Sequence, residues 1–465
     1  MSIHHLSRRD VLHGLALSAS FATALAPRVW AQAAPQGNGT AKTGRLVVVF
    51  LRGAYDGLSA FVPYADADYY ALRPNIAIAA PNGTAQTSLK LDNSFALHPS
   101  LAALLPLWQQ GVLSFVPAAG LPAPNRSHFD AQFQMEIAQP GKSNAASGWL
   151  NRLAASSNAP TPTAMANVTN PPTAMANVTH PPTAMGVGEA NPAILAGDAK
   201  VKLIPRGVQA ERTGVLANAG ARQALLDLYA GNDAVSVAFR KGADSRMQSA
   251  QELTDEKNAV IDRRRMDTAL DKDGTPATTQ AQSAQMLAAS NGATDPAGLV
   301  LDAQHLGTLM RNDRSLSIGF LSAGGWDTHA NQGNVTGQLA NNLANLARGI
   351  AQLRQDFNES GDVILVMSEF GRTSAENGTR GTDHGFGNAL WLIGNHVNGG
   401  KWHGQWTGLA RGNLNEARDL PAHHDYRAVL AQVLKRNFSM TDSSLATLLP
   451  GTNWDARLDG LIRRA

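Results

Sequence analysis

Cysteine is absent from all 465 residues. That excludes disulfides, thiolate metal sites, a cysteine nucleophile and a cysteine-derived formylglycine, and it frees the fold from the redox state of its compartment. Charge is scarce too: charged residues make up 16% of the chain and the formal net charge is +3, too little to argue for a nucleic-acid partner. No G-x-G-x-x-G follows the first strand candidate, so the usual dinucleotide cradle is missing. Past the N-terminus no run approaches the roughly eighteen apolar residues of a membrane span, and no integral membrane segment is expected in the mature chain. The remaining composition, 43% hydrophobic, is that of a globular chain long enough to bury a sizeable core.

The N-terminus carries an address. Ser7, Arg8 and Arg9 open a weakly apolar Ala/Leu stretch that ends at the small-x-small site Ala31-Gln32-Ala33. The combination reads as a twin-arginine signal peptide over 1–33, implying the twin-arginine export machinery as a partner and a bacterial periplasmic or secreted destination. A small, polar, Gly-rich linker follows at 34–44. Nothing in it can be buried.

From residue 45 the pattern changes. Arg45 to Leu51, RLVVVFL, is apolar and β-branched with almost no alternation, as in a strand buried on both faces of a parallel sheet. Further strand candidates lie at 111–120, 315–332, 362–372 and 389–395. They are separated by helical patterns, the clearest being Leu339, Leu343, Leu346, Ile350 and Leu353 within 338–357. Alternating strands and helices predict an α/β fold with a mostly parallel, doubly wound sheet. The whole of 45–465 reads as one such domain, with an insertion at about 154–312 that forms a polar helical cap. Within that insertion a ten-residue unit repeats over 162–185, placing Met165, Met175 and Met185 in register. Three ten-residue copies are too few and too short for a solenoid, and the repeat is expected to lengthen a surface loop.

In doubly wound sheets ligands bind beyond the carboxyl ends of the strands. The first, second, third and fourth candidates run into Asp56, Ser127, Asp327 with His329, and Glu369, while Asp383 and His384 precede the fifth. Carboxylates and imidazoles converging from separate elements suit a divalent ion: Zn or Mn, or with more oxygen ligands Mg or Ca, as one or two ions. Such a centre implies metal-assisted hydrolysis or transfer. Ser127, at a helix start, is the candidate nucleophile, Arg372 a candidate oxyanion clamp, and His128 a candidate contributor beside them.

The ordered set RGAYDG, RSHFDAQ, GWDTHANQ, SEFGRT, GTDHG and DYR, with the twin-arginine leader, resembles the exported bacterial family called domain of unknown function 1501, in the alkaline phosphatase superfamily. The resemblance implies an α/β sandwich with two metals, a Ser or Thr nucleophile, and phosphate or sulfate esters as substrates. It places Asp56 as the first-strand metal carboxylate, Ser127 at the nucleophile position, and Asp327 with His329 on one metal. Glu369 falls at the other metal and His384 at the final metal-binding histidine, with Asp383 as a ligand or an orienting group. Two departures stand out: Glu369-Phe370 occupies the place of an Asp-His pair, and the Asp327 to His329 spacing is tighter than the superfamily norm; in addition no Ser-x-Pro-x-Arg accompanies Ser127, which disfavours a formylglycine sulfatase. The expected activity is therefore a metal-dependent hydrolase or transferase of phosphate, phosphonate or sulfate esters, on small-molecule or polymer substrates. The alternative is an exported, non-catalytic binding or assembly protein that keeps the fold and a structural metal.

Overall fold

The computed structural model describes residues 44–157, 183–264 and 280–463. The expected signal peptide, the linker through residue 43 and the first two copies of the repeat lie outside them. The central sheet has eight strands: β1 (Arg45–Leu51), β2 (Leu113–Gly120), β3 (Ala184–Gly188), β4 (Val201–Pro205), β5 (Ile318–Ala323), β6 (Asp362–Met367), β7 (Asn388–Gly394) and β8 (His424–Asp425). Their spatial order is β8-β2-β7-β6-β1-β5-β3-β4. β1 pairs in parallel with β5 and β6, and only β7 runs against its neighbours, β2 and β6. The fold is mixed α/β with a largely parallel sheet, as the alternation of elements predicts.

β1 lacks polar alternation because neither of its faces meets water: all seven of its residues are buried. Leu46, Val48 and Phe50 join a core with Trp149 and Leu150 of α2 (Trp149–Ser157) and with Val429, Leu430 and Val433 of α6 (Tyr426–Asn437). Val47, Val49 and Leu51 point the other way, into a core with Leu306 and Leu309 of α4 (Leu299–Asn312) and the leucine stripe of α5 (Gln338–Asp356). The 4,3,4,3 spacing of that stripe keeps Leu339 through Leu353 on one helical face, and each of the five is at most 1% exposed. At about 1.5–3 kcal/mol per fully buried aliphatic side chain, these two layers supply the main driving force of the fold.

The insertion departs from expectation. It contributes β3 and β4 to the sheet, and the last copy of the repeat, with Met185 fully buried, is strand β3. That copy is core, whatever the earlier two do. Helices still make up much of the remainder, including α3 (Ala234–Arg264) and Gln280–Ser290.

At one end of the sheet, the guanidinium of Arg45 forks onto Asp362 at 2.7 and 2.6 Å, tying β1 to β6 where both strands begin. The opposite end is where the parallel strands finish. Because β7 is antiparallel, its beginning lies there as well. That is how His384, which precedes a strand, meets Asp327 and Glu369, which follow theirs.

Candidate metal centre

α1 (His128–Ile137) starts after β2, and Ser127 caps it, its Oγ accepting from Asp130 N at 3.5 Å. The first helical residue, His128, turns inward. Its Nε2 lies 2.9 Å from His384 Nε2 and 3.3 Å from Asp327 Oδ1. His329 Nε2 lies 3.0 Å from both His384 Nε2 and Asp327 Oδ1, and His384 Nε2 lies 3.3 Å from Asp327 Oδ1. His384 Nε2 and Asp327 Oδ1 thus lie side by side, with His128 Nε2 and His329 Nε2 each within 3.3 Å of both.

The second nitrogen of each ring shows which tautomer the cluster holds. His128 Nδ1 faces Glu369 Oε1 at 2.7 Å, His329 Nδ1 faces Asp383 Oδ1 at 3.0 Å, and His384 Nδ1 faces the Arg126 carbonyl at 2.9 Å. All three partners are acceptors, so in the neutral ring each Nδ1 carries the proton and each Nε2 presents a lone pair. Three ring lone pairs then face Asp327 Oδ1, whose own donor is Arg372 Nη2 at 2.7 Å, an arrangement that suits a cation between them. Donors about 2.0–2.2 Å from a tetrahedral ion stand roughly 3.3–3.6 Å apart, and among His128, Asp327 and His384 the separations of 2.9, 3.3 and 3.3 Å are close to that edge, slightly contracted. The residues fit a divalent metal, with His128, Asp327 and His384 each offering an atom to one ion, and His329 Nε2 lies 3.0 Å from two of those atoms.

Without a metal, protons take up part of that charge deficit. Burial alone would lower the His128 pKa, but hydrogen bonds to Asp327 and Glu369 outweigh it and push it up to about 9. The hydrogen bond to Asp327 raises that of His329 as well. Burial opposes ionisation of Asp327, yet the three histidines and Arg372 hold its carboxyl far below the usual range. Glu369 also stays low despite complete burial, chiefly through His128. Burial likewise disfavours the charge on Asp383, and Asn377 and His329 bring it down.

Several expected roles change. Glu369 is not in the inner set. Its Oε1 accepts from His128 Nδ1, from Gln132 Nε2 at 2.9 Å and from Gly53 N at 2.8 Å, and its Oε2 from Ser368 Oγ at 2.8 Å. A carboxylate so occupied orients an imidazole. Asp383 does the same for His329, steadied by Asn377 Nδ2 at 3.0 Å. Asp56, expected as a ligand, is bound on both oxygens by Arg73, at 2.6 and 3.1 Å, and also accepts from Ser59 and Gln332. Its four donors commit it to Arg73 and its neighbours, and it is not among the atoms that converge on Asp327. Arg372 is buried, with Nε and both terminal nitrogens donating to the carbonyls of Ala54, Thr382, Gly53 and Trp326 and to Asp327 Oδ1. It fixes the carboxylate instead of clamping an oxyanion. His128, read as an accessory beside Ser127, belongs to the inner set, and Ser127 itself is exposed.

Gln132 was missed altogether. It is fully buried one helical turn after His128, and its amide bridges Glu369, the Ala289 carbonyl at 2.7 Å and Arg52 at 2.9 Å. The i,i+4 spacing of His128 and Gln132 puts both on one face of α1, and that spacing is the signal that could have found it.

A model of the family described as "Protein of unknown function (DUF1501)" matches residues 43–449. No curated protein matches the sequence. Among solved structures, the alkaline phosphatase from the Antarctic bacterium TAB5 aligns at 12% identity over 78% of this chain and 95% of that one, with a TM-score of 0.29. A mutant of the TAB5 enzyme with Mg bound in its M3 site aligns at 12% identity over 78% and 94%, with a TM-score of 0.31.

Proposed function

Starting from a chain that belongs to the DUF1501 family, we propose that it is a metal-dependent hydrolase of phosphate, phosphonate or sulfate esters, built on one divalent ion. The observation that carries this reading is the convergence of His128, His329 and His384 Nε2 with Asp327 Oδ1, each ring held from behind by an acceptor. Those four residues would hold the ion. When bound, it supplies Lewis-acid polarisation of an ester oxygen and activation of water near neutral pH.

The protein's own contribution is positioning. Glu369, Asp383 and the Arg126 carbonyl set the tautomer and direction of the rings, and Arg372 locks the Asp327 oxygen that faces them. Ser127 stands exposed one residue before His128, at a helix start whose free N–H groups favour an anion. In this reading its hydroxyl is the attacking group, and Ser127→Ala abolishes turnover while metal content is unchanged. The leader at 1–33 makes export to the periplasm part of the same proposal.

One specific observation favours the second reading, an exported binding protein with a structural metal: Asp56 and Arg372, two groups a second ion and an oxyanion would want, are fully engaged inside the protein. Elemental analysis of the folded chain beside His384→Ala and Asp56→Asn decides between these readings, together with release of nitrophenol from 4-nitrophenyl phosphate and sulfate. One ion per chain, lost with His384 and kept without Asp56, plus chelator-sensitive hydrolysis, supports the hydrolase. One ion with no hydrolysis, and a melting temperature that falls on chelation, supports the binding protein. No ion at all sinks both.

A further inference from the structure

The RGAYDG motif directly after β1 opens with Arg52, whose guanidinium is fully buried. All five N–H groups that a guanidinium carries are engaged: Nε donates to Glu189 Oε2 at 3.0 Å, Nη2 to Glu189 Oε1 and Glu136 Oε1, each at 2.8 Å, and Nη1 to Glu136 Oε2 at 3.5 Å and Gln132 Oε1 at 2.9 Å. Glu189 directly follows β3 and also accepts from Ser322 Oγ of β5 at 2.6 Å. Gln132 and Glu136 follow His128 at four-residue intervals along one face of α1. The two carboxylates balance the buried charge. The amide has a different consequence.

A guanidinium only donates, so the Gln132 amide oxygen faces Arg52 and its NH2 is turned the other way. There it meets two acceptors, Glu369 Oε1 at 2.9 Å and the Ala289 carbonyl at 2.7 Å. With the amide reversed, oxygen would oppose both acceptors and nitrogen would oppose the guanidinium, a mismatch that burial makes costly. Glu369 Oε1 in turn accepts from His128 Nδ1 at 2.7 Å. Three hydrogen bonds therefore lead from Arg52 Nη1 to the His128 ring, through Gln132 and Glu369. All four side chains are buried, so water is a poor substitute for any of these bonds.

We infer that Arg52 is a positioning residue of the metal centre: by fixing the sense of the Gln132 amide it holds Glu369 behind His128, and so sets the direction of that ring's lone pair. The inference rests on the metal-centre reading above. Arg52 touches no reacting atom, and its effect on the ion passes through Gln132. A guanidinium that only tied β1, β3 and α1 together would change stability and leave the affinity for the ion alone.

The test is a double-mutant cycle on full-length protein, read as zinc affinity by competition with a chelating dye, on samples that unfold cooperatively. Arg52→Lys keeps a cation for Glu136 and Glu189 but lacks the fork that reaches Gln132 as well. It is expected to weaken zinc binding about tenfold, the lower end of the loss when an orienting partner goes. Gln132→Met, which removes the relay, does the same, and the two changes together lose no more than Gln132→Met alone. In the zinc-loaded protein the Nδ1–H proton resonance of His128 shifts in both single variants, while those of His329 and His384 hold still. Where Arg52→Lys does not fold, Arg52→Met with Glu136→Leu takes out the cation together with a carboxylate it neutralises, a replacement that buried ion pairs often tolerate. Glu189, its pKa already raised by burial, can accept a proton there, and the same comparisons with Gln132→Met apply. Wild-type zinc affinity in the Arg52 variants, or losses that add across the cycle, overturns the inference and leaves the metal centre standing. A wild type that binds no zinc overturns the metal-centre reading, and this inference with it.

Discussion

Arg73 Nη1 lies 2.6 Å from Asp56 Oδ2 and Arg73 Nη2 3.1 Å from Asp56 Oδ1, with both side chains at most 1% exposed. The guanidinium occupies the face of the carboxylate that a metal would take. Losing one partner strands the other as a buried charge. Arg73→Ala is therefore expected to cost about 3–5 kcal/mol in denaturant unfolding, and Asp56→Asn in the Arg73→Ala background to restore part of it. A single variant that unfolds like wild type would refute this account.

The same pair sets an acid limit. Burial works against the Asp56 charge, but Arg73, Gln332 and Ser59 prevail and hold its pKa below the ordinary value. A depressed carboxylate contributes stability above its unfolded pKa of about 3.9, and that contribution is lost as pH falls through its folded pKa. Arg73→Ala should flatten the acid limb of the stability profile, followed by circular dichroism.

Metal uptake should be coupled to protons. With His128 raised to about 9 in the metal-free chain, an ion entering at pH 7 displaces its proton, and affinity climbs as pH rises toward 9. Calorimetry in two buffers of different ionisation enthalpy should show protons released on metal binding, from His128 and, where it is still protonated, His329. Metal-free stability moves the opposite way. A raised histidine pKa stabilises fully below about 6.5, and that contribution disappears as pH passes through about 9.

Glu369→Gln keeps the shape of the residue and removes the charge behind His128. Metal affinity should fall about 10- to 100-fold, read by competition with a chelating dye, with the fold retained. Unchanged affinity would mean that His128 needs no orienting carboxylate.

The glycines of GTDHGFG have a steric reason. A Cβ on Gly385 would meet the Arg372 carbonyl, and one on Gly381 the His329 carbonyl. Gly385→Ala should displace His384 and cost metal binding before it costs the fold, seen as lost metal in a protein that still unfolds cooperatively.

Most of the sheet could be read from the sequence because a strand covered on both faces leaves a continuous apolar run. RLVVVFL and DVILVM appear as strands where such runs predict them. Direction leaves no such mark, and nothing in NALWLIG announces that β7 runs backward. The last repeat copy, PTAMGVG, is short, and its glycines and threonine look like loop. Its place between β4 and β5 comes from tertiary pairing alone. At the centre, residue type was informative and rank was not. Asp56 and Glu369 looked like ligands because they end strands, but their partners, Arg73 and His128, lie 17 and 241 positions away. Only three-dimensional proximity separates the carboxylate that meets three imidazole nitrogens from one that meets an arginine or a single ring.

The distance in sequence between His128 and His384, 256 positions, also has a meaning in time. At about 5–20 residues per second, a chain under synthesis waits roughly 13–50 s between making the first of these histidines and the last. Throughout that interval the nascent polypeptide holds an incomplete set of donors, so the centre can form only after His384 has been made.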